Sequence, residues 1–133
     1  MIEIKDLKCS FDERTILENV SLKIDNHITV LGANGSGKST LAKAICSLIA
    51  FDGEVSINNV DMKELPLNER AKTLSYIPAK LEIYDSFITV KEFVLLGRYP
   101  YKKSFFEYSE KDKNITGQTL EFLKMNPSGR FPI

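Results

Sequence analysis

Nine consecutive residues, Gly32-Ala33-Asn34-Gly35-Ser36-Gly37-Lys38-Ser39-Thr40, bring glycines, a lysine and hydroxyls together in the pattern G-x-x-x-x-G-K-[ST]. Glycines at this spacing let successive backbone N–H groups turn inward and form a concave anion site. A helix starting at the lysine adds roughly half a positive charge at its N-terminus, aimed at the same place. Lys38 then reaches the β- and γ-phosphates, and the Ser39 hydroxyl is a ligand for Mg²⁺. The chemistry implied is binding of a nucleoside triphosphate, with ATP and Mg²⁺ as the expected ligands and Lys38 as the residue assigned to catalysis.

Such a loop works only between a strand that ends at its first glycine and a helix that starts at its lysine. Ile28-Thr29-Val30-Leu31 is a compact apolar run ending at Gly32, and it reads as a fully buried parallel strand. After the loop, Leu41, Ala42, Ile45, Leu48 and Ile49 supply one apolar face, predicting a helix over Lys38 to Ala50. Before it, Ile2, Ile4 and Leu7 stand among charged residues, Asp12-Glu13-Arg14 makes a polar turn, and Val20, Leu22 and Ile24 alternate strictly. These segments read as half-exposed antiparallel strands, with Asp25-Asn26 as the turn into the buried one. Downstream, Glu54 to Ile57 reads as a strand turned by Asn58-Asn59, Leu67 to Leu74 as a short helix, and Ser75-Tyr76-Ile77 as a strand stopped by Pro78. Thr89 with Glu92, and Ser109 with an acidic residue at Asp112, mark two helix starts; Gly97 falls where a C-terminal cap belongs. The second of these helices carries Ile115, Leu120 and Leu123.

Composition narrows the class. The chain of 133 residues has 18 basic and 18 acidic side chains and no net charge, which argues against nucleic acid as a partner. A 43% apolar and 27% charged content describes a globular chain. No apolar run approaches the roughly 18 residues of a membrane span, and the start Met1-Ile2-Glu3-Ile4-Lys5-Asp6 lacks the apolar core of a secretion signal. Cys9 and Cys46 form neither a metal spacing nor a disulfide framework, so a reducing compartment is expected. Cys46 reads as a small core residue of the helix after the loop.

The long antiparallel lead-in before Gly32, together with several local strings, resembles the ATP-binding subunit of ABC transporters. The strings are Ile4-Lys5-Asp6-Leu7, Ile16-Leu17-Glu18-Asn19-Val20-Ser21-Leu22, the phosphate loop itself and Gly53-Glu54-Val55. Leu74-Ser75-Tyr76-Ile77-Pro78, Ile88-Thr89-Val90-Lys91-Glu92 and Gly97-Arg98-Tyr99-Pro100 look most like the importers of ferric siderophores, haem and cobalamin. The resemblance covers Ile2 to Met125. It implies an α/β fold: a P-loop NTPase core with an antiparallel sub-sheet at its N-terminus, an incomplete ABC-type domain over residues 1–125 and an irregular tail over 126–133. It further implies transmembrane permease subunits and a second nucleotide-binding subunit as partners, and a cytoplasmic place at the inner face of the cell membrane. Phe11 occupies the position of the aromatic that stacks on adenine, as an aromatic face does with any base. Arg98-Tyr99-Pro100-Tyr101-Lys102-Lys103 falls where the family's ATPase meets its membrane subunit.

Two departures qualify this reading. The family places a glutamine directly after the Tyr-Ile-Pro string, where it contacts Mg²⁺ and the attacking water; here that position is Ala79, whose methyl group can do neither. The family's signature motif, acidic strand end, catalytic glutamate and switch histidine are absent from the sequence. His27 precedes the loop and reads as a turn residue. The expectation is ATP binding without meaningful hydrolysis by this chain alone, since catalysis on phosphates is positioning plus charge stabilisation. The alternative is a non-hydrolytic nucleotide-binding or regulatory module. A small phosphate-loop kinase is disfavoured by the preceding sub-sheet.

Overall fold

A computed structural model describes residues 1–80, 87–103 and 107–130, and the chain divides into two compact units, Met1–Tyr76 and Ile77–Ile133. In the first unit, β1 (Ile2–Phe11) and β2 (Arg14–Ile24) form a long antiparallel hairpin, and β3 (Asp52–Ile57) and β4 (Val60–Asp61) extend it to a four-stranded sheet in the order β2-β1-β3-β4. The hairpin turns tightly at Asp12-Glu13, where Asp12 takes a left-handed conformation that short polar side chains tolerate.

The buried residues of β1 are Ile4, Leu7 and Cys9, a spacing of three and then two. A strand turns successive side chains to opposite faces, so a spacing of three needs an irregularity. The pairing with β2 shifts register between Ile4 and Leu7, and Asp6 in the gap has positive φ. The Ser21 hydroxyl takes up the Asp6 N–H at 2.9 Å, so the shift leaves that donor satisfied. Cys9, Val55 and Met62 complete one apolar face, and Leu41 and Ala44 of α1 (Lys38–Ile45) lie in the same buried cluster.

The helix after the loop is shorter than its apolar period suggests. It stops at Ile45 because Ser47 N–H bonds Ala44 O at 2.8 Å and Leu48 N–H bonds Lys43 O at 2.9 Å, with Ser47 left-handed between them. This pair of bonds is the Schellman ending, here built without glycine. Leu48 is consequently exposed, and Cys46 is half-buried at the cap instead of in the core, its thiol pushed up by burial.

Two expected strands are absent. Residues 28–31 form no strand, and Ile28, Val30 and Leu31 are 53%, 45% and 88% exposed. A buried parallel strand exists only between neighbours on either side, and among the described residues none pairs with this segment. For the same reason Ser75-Tyr76-Ile77 is not a strand: no described strand accepts it as a neighbour, and Ile77 is 89% exposed. The short helix is found as read, α2 (Leu67–Thr73).

The second unit holds α3 (Val90–Leu96), a single 3₁₀ turn at Tyr99–Tyr101, and α4 (Glu110–Phe122). Both expected capping boxes form, at Thr89 with Glu92 and at Ser109 with Asp112. Gly97 caps α3 in a right-handed conformation, and the chain runs on into the 3₁₀ turn. Gly129 O and Pro127 O accept from Val90 N–H and Lys91 N–H at 2.8 and 3.1 Å, supplying partners that the first turn of a helix cannot provide for itself. Of the segment 126–133, residues 131–133 lie outside the described residues.

Candidate functional site

The phosphate loop is built from the hairpin upward. Ile16 and Leu17 of β2 lie directly beneath Gly37: a Cβ on Gly37 would stand 2.8 Å from Leu17 Cδ2 and 3.3 Å from Ile16 Cγ2. Gly37 has φ +88° and serves as N-cap of α1 with no side chain to occupy the helix's free N–H groups. Those donors therefore remain available to a ligand, which is the condition for binding an anion at a helix start. Gly35 is also left-handed, and Ser36 N–H closes the loop onto Ala33 O at 3.2 Å.

Lys38 folds back over the loop, its ammonium donating to Gly32 O at 2.8 Å and Ala33 O at 2.7 Å. Gly32, Ala33 and Ser36 thus shape the loop and hold its lysine. Asn34, Gly35, Gly37, Lys38, Ser39 and Thr40 line an open cavity of about 490 Å³. Phe11, at the end of β1 and 49% exposed, lines the same cavity. The structure therefore gathers the expected aromatic and the expected phosphate loop around one space.

The donor set fits a nucleoside triphosphate with its metal. The residues that line the space bring backbone N–H groups, an ammonium, a guanidinium, an amide and two hydroxyls, and the lining includes no carboxylate to repel phosphate. Among the described residues no group of three or more His, Cys, Asp or Glu side chains gathers to hold a metal. Ser39 lines the cavity and is the residue that would hold Mg²⁺ beside phosphate oxygens, as a cation that keeps few protein ligands.

Two lining residues, Arg14 and Ile16, were not anticipated from sequence. The sequence pattern puts Arg14 in the polar turn; the structure makes the turn of Asp12 and Glu13 alone and pairs Arg14 with Phe11, and Ile16 sits where the pairing with β1 shifts register. His27 is exposed and is not among the cavity's lining residues. Ala79 is exposed and belongs to the second unit. In that unit the Arg98 guanidinium stacks over Tyr101 at 3.8 Å and Lys102 lies over Tyr108 at 4.8 Å. Arg98, Tyr101 and Lys103 line a second cavity of about 640 Å³ there.

A family model described as ABC transporter matches residues 17–130. The chain belongs to the ABC transporter family. An uncharacterised ABC transporter ATP-binding protein of Methanocaldococcus jannaschii is 34% identical over 128 residues, covering 94% of this chain and 49% of that protein. The hemin import ATP-binding protein of Shewanella denitrificans is 33% identical over 130 residues, covering 96% and 49%. A dimeric ATP-binding cassette solved in a post-hydrolysis state shares the fold with a TM-score of 0.73 at 22% identity, covering 98% of this chain and 61% of that one. The chain spans about half the length of the curated relatives it matches, and it corresponds to the N-terminal portion of an ABC ATP-binding domain. No helix among the described residues is long and apolar enough to cross a membrane.

Proposed function

We propose that this chain binds ATP with Mg²⁺ as the nucleotide-binding component of an ABC importer. The observation that carries this reading is the shared cavity: the base-stacking candidate Phe11 and the donors of the phosphate loop line one space of about 490 Å³. The terminal phosphates take the open N–H groups of α1, Lys38 exchanges its carbonyl partners for phosphate oxygens, and Ser39 holds the metal. The bound metal supplies charge neutralisation of the triphosphate. The lining includes no carboxylate or histidine that could take a proton from water, so the chain by itself holds ATP without turning it over.

The solute is an iron-siderophore, haem or cobalamin. This is supported by relatives named for achromobactin transport in Dickeya dadantii and petrobactin import in Bacillus anthracis, alongside the hemin import protein. Relatives named for manganese transport in Listeria make a bare metal ion the competing solute. Transmembrane permease subunits and a second nucleotide-binding subunit are the partners, at the inner face of the membrane. The basic and aromatic surface of Arg98 to Lys103 is the candidate permease contact.

Equilibrium binding of Mg-ATP to the full chain, beside Lys38→Ala, tests the core of this reading. The expected result is saturable binding that the lysine variant weakens at least tenfold, with no phosphate release above background. Equal binding by both proteins, or turnover that Lys38→Ala abolishes, would overturn it.

A further inference from the structure

We infer that Arg14 is the second cation of the nucleotide cleft and donates to the α-phosphate of the bound nucleotide; this rests on the nucleotide-binding reading above. Arg14 opens β2 directly opposite Phe11, and cross-strand partners project from the same face of a sheet. Two residues on, where the pairing with β1 shifts register, Ile16 lines the same cavity and lies beneath Gly37. The end of the hairpin therefore presents the stacking ring with Arg14 beside it, and Ile16 carries the loop two residues further along β2. Ile16, the residue beneath Gly37, stands two positions from Arg14, a strand rise of at most roughly 7 Å.

That spacing decides which phosphate Arg14 meets. A base on Phe11 and terminal phosphates in the loop leave the ribose and the α-phosphate between them, alongside Arg14. The guanidinium has no hydrogen-bond or ion-pair partner among the described residues, and it does not stack on Phe11. Arg14 and Lys38 are the two charged side chains of the lining, both positive. Two like charges around one space raise its potential and favour an anion between them. A planar fork of N–H donors matches two phosphate oxygens where an ammonium offers only a point charge. The division of labour is then Lys38 for the β- and γ-phosphates and Arg14 for the α-phosphate.

The test is competition by ATP, ADP, AMP and adenosine against a fluorescent ATP analogue bound to the full chain, for the unaltered protein, Arg14→Ala, Arg14→Lys and Lys38→Ala. Arg14→Ala should weaken ATP, ADP and AMP by a common factor of about ten, the scale of one charge-assisted hydrogen bond, and leave adenosine unchanged. Arg14→Lys should recover part of that loss. Lys38→Ala should weaken ATP and ADP but spare AMP. Arg14→Ala affinities within twofold of the unaltered chain for ATP and ADP would overturn the inference. So would a loss that extends equally to adenosine, or one confined to ATP. If the unaltered chain binds no ATP, the nucleotide reading falls and this inference with it. If ATP binding depends on Lys38 but ignores Arg14, only this inference falls.

Discussion

Arg98 donates its Nε–H to Asp112 Oδ1 at 3.0 Å, and both side chains are withdrawn from water, at 19% and 6% exposure. The same carboxylate closes the capping box of α4, accepting from Ser109 N–H at 3.2 Å and from the Ser109 hydroxyl. Asp112 thus ties the start of α4 to the residue between the cap of α3 and the 3₁₀ turn. Its carboxyl is held below the usual carboxylate range, first by the Ser109 hydroxyl and then by Arg98, against the opposing effect of burial.

A depressed folded value fixes the sign of the pH dependence. The stabilisation is fully present above about pH 4, where the unfolded carboxyl is ionised, and is lost as pH falls through the lower folded value. Asp112→Ala should destabilise the second unit more than Asp112→Asn, because the alanine leaves Arg98 without an oxygen acceptor. Both variants should flatten the acid-side loss of stability. Urea unfolding followed by tyrosine fluorescence between pH 3 and pH 7 measures this, and acid-side slopes equal to that of the unaltered chain would refute it.

The loop's two left-handed glycines make different demands. At Gly37 a methyl group meets Leu17 and Ile16 as well as an unfavourable φ of +88°, whereas at Gly35, with φ +82°, nothing lies within 4 Å. Left-handed backbone costs an alanine roughly 1–2 kcal/mol, and overpacking adds roughly 1–3 kcal/mol. Gly37→Ala should therefore cost about 2–5 kcal/mol of first-unit stability and Gly35→Ala about 1–2 kcal/mol. Urea unfolding of the two variants checks the order, and equal losses would show that Leu17 and Ile16 yield freely.

What could be seen in the sequence was local. The hairpin, both capping boxes and α2 are set by neighbours a few residues apart, and they fold as their patterns suggest. The phosphate loop was legible for the same reason, since its glycines and lysine act within one turn of chain. The errors came from elements whose limits are not written locally. Ser47 ends α1 in a left-handed conformation with no glycine to announce it, so the apolar period through Leu48 and Ile49 overran the helix. Ile28 to Leu31 has the composition of a buried strand, but a parallel strand is made by its neighbours. Arg14 escaped notice because its place depends on the register opposite Phe11, which only the folded turn defines.

Phe11 carries the base in this reading, and its contribution separates from that of the loop. Base–aromatic stacking is worth roughly 1–3 kcal/mol on truncation. Phe11→Ala should weaken ATP binding by about tenfold or more, while Phe11→Tyr keeps the ring face and should bind within threefold. Because any base offers a π face, the alanine variant should lose a similar factor for GTP. The ring is half exposed, so the unfolding midpoint should move little. Calorimetric titration of the three proteins with ATP and GTP measures these factors, and unchanged ATP affinity in Phe11→Ala would remove the aromatic from the site.

The exposed segment before the loop has a consequence for the chain in solution. Ile28, Val30 and Leu31 stand half to nearly fully open to water, and no described strand takes up the backbone beside them. Apolar side chains beside unpaired backbone N–H and C=O groups are a template for association with another chain. The isolated chain should therefore bind a hydrophobic dye and self-associate as its concentration rises. Replacing Ile28, Val30 and Leu31 together by serine should suppress both effects. The unfolding midpoint should stay nearly where it was, because exposed side chains that contact little contribute within about 0.5 kcal/mol each. Light scattering with dye fluorescence across a concentration series distinguishes the outcomes. A monodisperse, dye-silent monomer that unfolds cooperatively would mean that this strip is satisfied within the chain, and the serine variant would then lose stability instead of gaining solubility.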